Sequence, residues 1–222
     1  MKRNGLEISL DFAHRFEFVE YPGQAGRLGY ARADIERLIR FGYLRRERVL
    51  AVPPLPLEGP LFCCAPGGTK PDFAPVAHAS SRFGYREATQ LAVLFGTRKN
   101  ASAFAGYSPS FSQVGQLTHD IHVTECLVAF RRGRQQEAVR WVSESCFMRR
   151  HRRAMGRFVP DAAICSARGG RLETAIEFAG ASYTAERLTE CWRAAWTAGM
   201  NLEIWAAPDS RHSSRSLLST AS

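Results

Sequence analysis

The sequence predicts an α+β protein built from an N-terminal unit and a C-terminal unit that both contain helices and strands. Three observations favour this fold class. Apolar residues recur at helical spacing between Ile35 and Gly42, and again between Leu117 and Phe130. Short strand-like segments follow each of these helices. Apolar residues make up 45% of the 222 residues, which is enough to bury a substantial core.

The N-terminal unit, residues 1–75, is predicted to contain helices followed by two strands. One helix lies within Ile8–Val19. Another ends at Gly42, because glycine favours the left-handed conformation that caps helix C-termini. The strands Arg48–Val52 and Leu61–Ala65 flank a proline-rich turn, and we expect them to pair as a hairpin.

This order of elements is typical of a winged helix-turn-helix domain. In such a domain the recognition helix enters the major groove of DNA and the hairpin lies on the backbone. The phrase LIRFGYLRR, which closes the predicted helix, resembles the end of many winged-helix recognition helices. The alternative interpretation is an amphipathic helix that is capped by glycine and packs on a hairpin without contacting DNA.

The C-terminal unit, residues 116–207, alternates between helical and strand-like segments. We predict a helix, three strands, a helix and a final strand at Gln116–Phe130, Ala138–Ser143, Phe158–Ser166, Leu172–Phe178, Ser182–Thr197 and Leu202–Ala206. This αβββαβ order matches the core of the PD-(D/E)xK nucleases, so we expect a nuclease-like α/β domain. Residues 76–115 are predicted to be a linker with one helix near Arg86–Phe95, and the polar tail 208–222 to be disordered.

Acidic residues fall where such a core would hold a metal ion. Asp161 begins the second strand, Glu177 ends the third, and Glu125 lies on the opening helix. Two strand carboxylates side by side can bind Mg²⁺ or Mn²⁺, which would activate a water molecule. The lysine that normally follows the second acid by two residues is replaced by Ala179, and no lysine occurs after Lys99. We therefore expect a degenerate site without a cofactor, and the alternative is a metal-dependent DNA endonuclease that uses Asp161 and Glu177.

The C-terminal half also resembles a known family. The stretch LTHDIHVTECLVAF…WVSES…FVPDAAI…ETAIEFAGASYTAERL is similar to the replication-relaxation proteins of plasmids and mobile elements, which pair a winged helix with a nuclease-like fold. The resemblance covers residues 115–206 well and 28–66 loosely. Its motif residues here are His119, Trp141, Glu144, Pro160, Asp161 and Glu177.

The resemblance implies a role in replication, copy control or transfer of a DNA element, with replication or mobilisation proteins as further partners. Family members usually have Glu-Val-Asp at the acidic strand, whereas this chain has Glu177-Phe178-Ala179, so one acidic position is missing. His119 and His122 have a spacing that could hold a transition metal. We favour the simpler interpretation of one packed and one solvent-facing histidine.

The positive charge is almost entirely arginine. The formal net charge is +9, and the only lysines are Lys2, Lys70 and Lys99. Arginine matches phosphate through a planar pair of donors, which favours a nucleic-acid partner. A GC-rich coding sequence would explain the arginine-to-lysine ratio but not the net charge. The predicted double-stranded DNA contacts are Arg32, Arg37, Arg40, Arg45, Arg46, Arg48, Arg131, Arg132, Arg134, Arg149, Arg150, Arg152 and Arg153.

Other functional classes are disfavoured by composition. The six cysteines form no CxxC pair, which argues against a zinc finger and a disulfide scaffold. No apolar stretch reaches the length of a membrane helix, and we expect a cytoplasmic protein with no membrane contact. A third hypothesis remains open beside DNA binding and nuclease activity, in which the basic surface binds an acidic protein.

Overall fold

A computed structural model describes residues 3–83, 86–109, 114–151, 159–167 and 171–207. Within them the chain forms a mixed α+β fold with two sheets. The helices are α1 (Gly5–His14), α2 (Gly23–Arg27), α3 (Arg32–Arg40), α4 (Ala74–Phe83), α5 (Arg98–Ala103), α6 (Val114–Gly133), α7 (Gln135–Ala138), α8 (Glu144–His151) and α9 (Ala185–Thr197). The strands are β1 (Val19–Tyr21), β2 (Leu44–Ala51), β3 (Phe62–Cys64), β4 (Thr89–Gly96), β5 (Trp141–Ser143), β6 (Ala162–Cys165), β7 (Leu172–Phe178) and β8 (Asn201–Trp205).

The first sheet is antiparallel and has the order β1-β4-β2. Its side chains alternate between two faces. One face carries Val19 and Leu94, which are buried in a cluster with residues of α1 and α3. The other face carries Val93 and Phe95, which pack in a cluster with residues of α6. Helices therefore cover both faces of the sheet at the C-terminal end of β4, whereas residues 89–92 of that strand are exposed or half-buried.

The second sheet has the order β3-β8-β7-β6-β5, in which only β7 and β8 are parallel. It shares a core with the helices of the first half, because one cluster contains Phe12 and Ile35 together with Trp141 and Trp205. Hydrogen bonds also join the halves. The indole of Trp141 donates to the carbonyl of Arg15 at 2.8 Å.

Two predictions about the middle of the chain are wrong. The predicted hairpin between Arg48–Val52 and Leu61–Ala65 does not form, because β2 pairs with β4 and β3 pairs with β8 in the other sheet. The helix predicted near Arg86–Phe95 is instead the strand β4. The C-terminal part of β4, in the middle of the sheet, is buried on both faces, so its apolar run is continuous and lacks the alternation of a half-exposed strand. Residues 76–115, predicted to be a linker, thus supply the middle of the first sheet.

Most other elements agree with the sequence prediction. The helix ending before Gly42 is α3, and Gly42 has the expected positive φ of 73°. The predicted order in residues 116–207 is present, with α7 and α8 as additional helices. Of the predicted strand Ala138–Ser143 only Trp141–Ser143 is β5, since Ala138 ends α7 and the next two residues form a turn. The tail 208–222 lies outside the described residues.

Candidate functional site

An acidic centre forms where α6 meets β6 and β7. Ala162 of β6 pairs with Ile176 of β7, so Asp161 and Glu177 are neighbours across the two strands. The Nε2 of His119 lies 2.9 Å from Oδ1 of Asp161. The backbone N–H of Phe178 donates to Oδ2 of Asp161 at 2.7 Å. Both oxygens of Asp161 are therefore engaged by protein groups.

Glu177 is held as a buried group rather than as an open ligand. Its side chain is only 1% exposed. The hydroxyl of Tyr183 donates to its Oε2 at 2.9 Å. Burial, and then repulsion from Asp161, raise the pKa of Glu177 well above its usual value. The buried position thus disfavours the charged form of Glu177.

His119 is the cation of the acidic centre. Burial lowers the pKa of His119, but the charge of Asp161 and the hydrogen bond to it, with Asp120 and Glu177, outweigh burial and raise the pKa to about 9. The ring stacks on Tyr183 with a centroid distance of 6.3 Å. At pH 7 the centre accordingly contains an imidazolium paired with the Asp161 carboxylate.

A small cavity of about 20 Å³ lies beside this pair, with room for one water molecule. Asp120, Glu144 and Glu17 are among its lining residues. Burial and repulsion from Glu17 raise the pKa of Asp120 to about 7. Burial and repulsion from Asp161 raise the pKa of Glu144 to about 7. Burial also raises the pKa of Glu17, whose carboxylate accepts a hydrogen bond from Ser145.

These residues do not fit the divalent metal ion that a nuclease-like core would hold. Both oxygens of Asp161 already have partners, and Glu177 is buried with its Oε2 bound by the hydroxyl of Tyr183. The cationic ring of His119 lies against the carboxylate that would face the metal. Among the described residues, no group of three or more His, Cys, Asp or Glu side chains has an arrangement that could hold a metal ion.

The other candidate residues of α6 lie apart from this centre. Glu125 is fully buried and pairs with Arg27 of α2 at 2.6 Å, and its carboxylate accepts a hydrogen bond from Gln24 at 3.0 Å. His122 is also buried, with its Nδ1 2.7 Å from the carbonyl of Thr118, and burial lowers its pKa to about 4. Glu125 therefore joins two helices and is not part of a catalytic constellation with Asp161 and Glu177.

Two of the arginines predicted to form a basic rim in the C-terminal half, Arg131 and Arg134, are ion-paired within the protein. Arg131 is 10% exposed and pairs with the buried carboxylate of Asp11 at 2.7 Å. Arg134 pairs with Glu203 at 2.6 Å and with Glu137. Arg132 is exposed, and its guanidinium donates to a backbone carbonyl. Arg149 and Arg150 belong to α8, whereas Arg152 and Arg153 lie outside the described residues.

The arginines of α3 and β2 have a different environment. Arg32, Arg37, Arg40, Arg46 and Arg48 are all exposed, and we call these five residues the arginine surface. A salt bridge of 2.7 Å between Arg46 of β2 and Glu36 of α3 shows that helix and strand lie side by side. Within the described part of the chain, no carboxylate pairs with Arg32, Arg40 or Arg48.

Arg45 does not belong to the arginine surface. Its neighbour across the sheet is Phe95, which lies on the face that packs against α6, whereas Arg46 is opposite Leu94 on the face covered by α1 and α3. Arg45 pairs with Glu47, and its guanidinium lies over the ring of Phe95 at 5.7 Å. The predicted contacts on β2 thus divide between two faces of the sheet.

Sequence reasoning assigned no role to Asp11 or Tyr21. Asp11 is 1% exposed and binds Arg3, Arg15 and Arg131. Its position on the apolar side of the first helix was the available signal, because a buried carboxylate needs cationic partners. Tyr21 ends β1 beside the arginine surface, and no sequence pattern distinguishes it.

No protein-family model, curated protein or solved structure matches this chain, so the family resemblance stays a prediction. Within the described residues, no helix is long and apolar enough to span a bilayer.

Proposed function

We propose that this chain binds double-stranded DNA through the arginine surface. The proposal depends on the salt bridge between Arg46 and Glu36, because Arg32 and Arg40 lie one helical turn to either side of Glu36 and so on the side of α3 that meets β2. Arg37 lies further around the helix and pairs with Asp34. Around it, Arg32, Arg40 and Arg48 have no carboxylate partner among the described residues. Unpaired guanidinium groups on one surface provide the electrostatic footprint of a phosphate-binding protein.

The order of elements supports a winged-helix arrangement. The first half contains α1, β1, α2, α3, β2 and β4, with β4 paired to both β1 and β2. In this arrangement α3 is the recognition helix, and its exposed Arg32, Arg37 and Arg40 face the major groove. Base contacts from these side chains would supply sequence preference, whereas contacts from β2 would supply affinity.

For the C-terminal half we propose a degenerate nuclease-like domain that acts as a rigid support for the DNA-binding half. Its strand pairing supports this, because β5, β6 and β7 are antiparallel neighbours and β8 runs parallel to β7 after α9. The two halves share one core, and the acidic centre is internally paired. The resemblance to replication-relaxation proteins favours a role for this activity in replication, copy control or transfer of a mobile element.

The test is a salt titration of binding to a duplex of about 25 base pairs, followed by fluorescence anisotropy. The observed affinity should fall steeply with salt, with a slope of about −0.9 for each neutralised phosphate. Replacing Arg32 and Arg40 together by alanine should weaken binding about a hundredfold. The matched control replaces Arg187 and Arg193 together by alanine, which removes the same number of charges from exposed positions of α9 and should leave affinity unchanged.

Two outcomes would contradict the proposal. Wild-type protein that shows no salt-dependent binding to duplex DNA would favour an acidic protein as the partner of the basic surface. Equal losses in the control and in the Arg32 and Arg40 variant would show that net charge, and not this surface, governs binding.

A further inference from the structure

An open trough lies on the first sheet beside the arginine surface. Three residues in register build it, because Tyr21 of β1 is opposite Ala92 of β4 and Ala92 is opposite Arg48 of β2. Residues that are directly opposite in antiparallel strands project to the same face. A small side chain therefore lies between two large ones, and the resulting trough has a volume of about 510 Å³.

The dimensions of the trough follow from strand spacing. Adjacent strands are about 4.8 Å apart, so the walls formed by β1 and β2 are about 10 Å apart. Arg46 and Arg48 line one wall, and Tyr21 and Pro22 line the other. A single extended polymer strand fits this width, whereas a helix, which is about 10–12 Å across with its side chains, does not.

The chemistry of the walls favours an anion. The guanidinium of Arg46 lies over the ring of Tyr21 at 5.4 Å. Glu47 also lines the trough, but its carboxylate is paired with Arg45, and Glu36 is paired with Arg46. In the described residues, Arg48 has no carboxylate partner and the hydroxyl of Tyr21 has no hydrogen-bond partner. One cation and one neutral donor therefore face the same space without a protein acceptor.

We propose that this trough binds a phosphodiester segment of one DNA strand, with Arg48 as the ion-pairing group and the Tyr21 hydroxyl as a second donor. This inference rests on the proposed function, because it adds a backbone contact to the same DNA. The contact is independent of base sequence, since both groups address phosphate oxygens. It extends the DNA surface from α3 across the sheet to β1.

The first experiment compares two arginines of the same strand. Arg48→Ala should reduce the salt slope of duplex binding by about one, the change expected for the loss of one phosphate contact. Arg45→Ala removes the same charge from the opposite face of the sheet, where Arg45 is paired with Glu47. It should leave the slope unchanged. Both side chains are exposed, so both variants should fold as the wild type does.

The second experiment tests the hydroxyl. Tyr21→Phe keeps the ring under Arg46 and removes one hydrogen bond, which should weaken duplex binding about tenfold. Tyr43→Phe is the matched control, because it removes a hydroxyl from the same half of the chain outside the trough. Its affinity should equal that of the wild type.

A third measurement identifies the phosphate. A duplex with one neutral methylphosphonate, moved along the site, should lose affinity for the wild type at one position. At that position the Arg48→Ala variant should lose nothing further, because the same contact is already absent. If the wild type binds DNA but Arg48→Ala and Tyr21→Phe behave like their controls, the trough is not a phosphate site and the proposed function stands. If the wild type does not bind duplex DNA, both proposals fail.

Discussion

The acidic centre and the arginine surface are two concentrations of charge in the described structure, and they are built in opposite ways. In the acidic centre the groups are buried or half-buried and have partners within the protein, since Asp161 binds His119 and Glu177 accepts a hydrogen bond from Tyr183. On the arginine surface, Arg32, Arg40 and Arg48 are exposed and unpaired within the described residues. Charge that is internally paired stabilises or positions the fold, whereas unpaired charge of one sign is available to a partner. The difference favours the basic surface as the functional site.

The largest effect is expected when an arginine with a buried ion pair is removed. Arg131→Ala should lower the free energy of unfolding by about 3 kcal/mol, because it takes a partner from the buried carboxylate of Asp11. Urea denaturation at fixed salt measures this loss. DNA affinity of the folded variant should remain that of the wild type, since Arg131 lies outside the arginine surface.

The control is the next residue in the chain. Arg132 is exposed and donates one hydrogen bond to the carbonyl of Leu57, so Arg132→Ala should cost about 1 kcal/mol or less. Equal stability of the two variants would show that the buried ion pair of Arg131 contributes no more to the free energy of unfolding than the exposed hydrogen bond of Arg132. Loss of DNA binding by folded Arg131→Ala would place the residue in the interface after all.

The contrast between Arg131 and Arg132 shows which features of the structure could be predicted from the sequence and which could not. Periodicity located α3, α6 and β7, because each has a one-sided or continuous apolar pattern that local sequence determines. It could not distinguish Arg131 from Arg132, since both follow the same apolar stripe. Only the position of Asp11 on α1, more than a hundred residues away, makes one of them internal.

Strand pairing is the second feature that could not be predicted from the sequence. The segments around β2 and β3 are close in the chain and separated by prolines, which favours a local hairpin. Their true partners are β4 and β8, and the sequence carries no signal for pairing over such distances. The face of the sheet on which Arg45 and Arg48 lie depends on this pairing, so the trough beside Tyr21 could not be predicted either.

A smaller effect should appear in the pH dependence of stability. The pKa of Asp120 is raised from its usual 3.8 to about 7. A raised folded-state pKa means that the folded protein binds this proton more tightly than the unfolded chain. Its contribution to stability is complete below pH 3.8 and is lost as pH rises through 7. Glu144 and His119 also have raised pKa values, about 7 and about 9, so their contributions to stability are likewise lost as pH rises. The loss from His119 occurs at the higher pH.

Asp120→Asn removes the free-energy cost of ionising this carboxyl group in the folded protein. It keeps an oxygen that can accept the hydrogen bond from Gln116. At pH 8 the variant should be more stable than the wild type by about 1 kcal/mol, allowing for access to water, and the advantage should vanish near pH 4. Urea denaturation at both pH values measures it. Glu190→Gln, which removes one negative charge from an exposed position of α9, is the control for the change in net charge. A variant that is less stable than the wild type at pH 8 would show that the Asp120 carboxylate is favourable in the fold.

The smallest expected effect is the change in melting temperature on adding divalent metal ions. This measurement distinguishes a degenerate nuclease-like site from a catalytically active one. A ligand that binds only the folded state raises the melting temperature in proportion to its binding free energy. Because Asp161 is engaged by His119 and by the N–H of Phe178, millimolar Mg²⁺ or Mn²⁺ should shift the melting temperature by no more than about 1 °C. The same ions should produce no nicking of supercoiled DNA. A larger shift that disappears in Asp161→Asn would show that the carboxylate exchanges its protein partners for metal, and the contrast between a closed acidic centre and an open basic surface would then no longer hold.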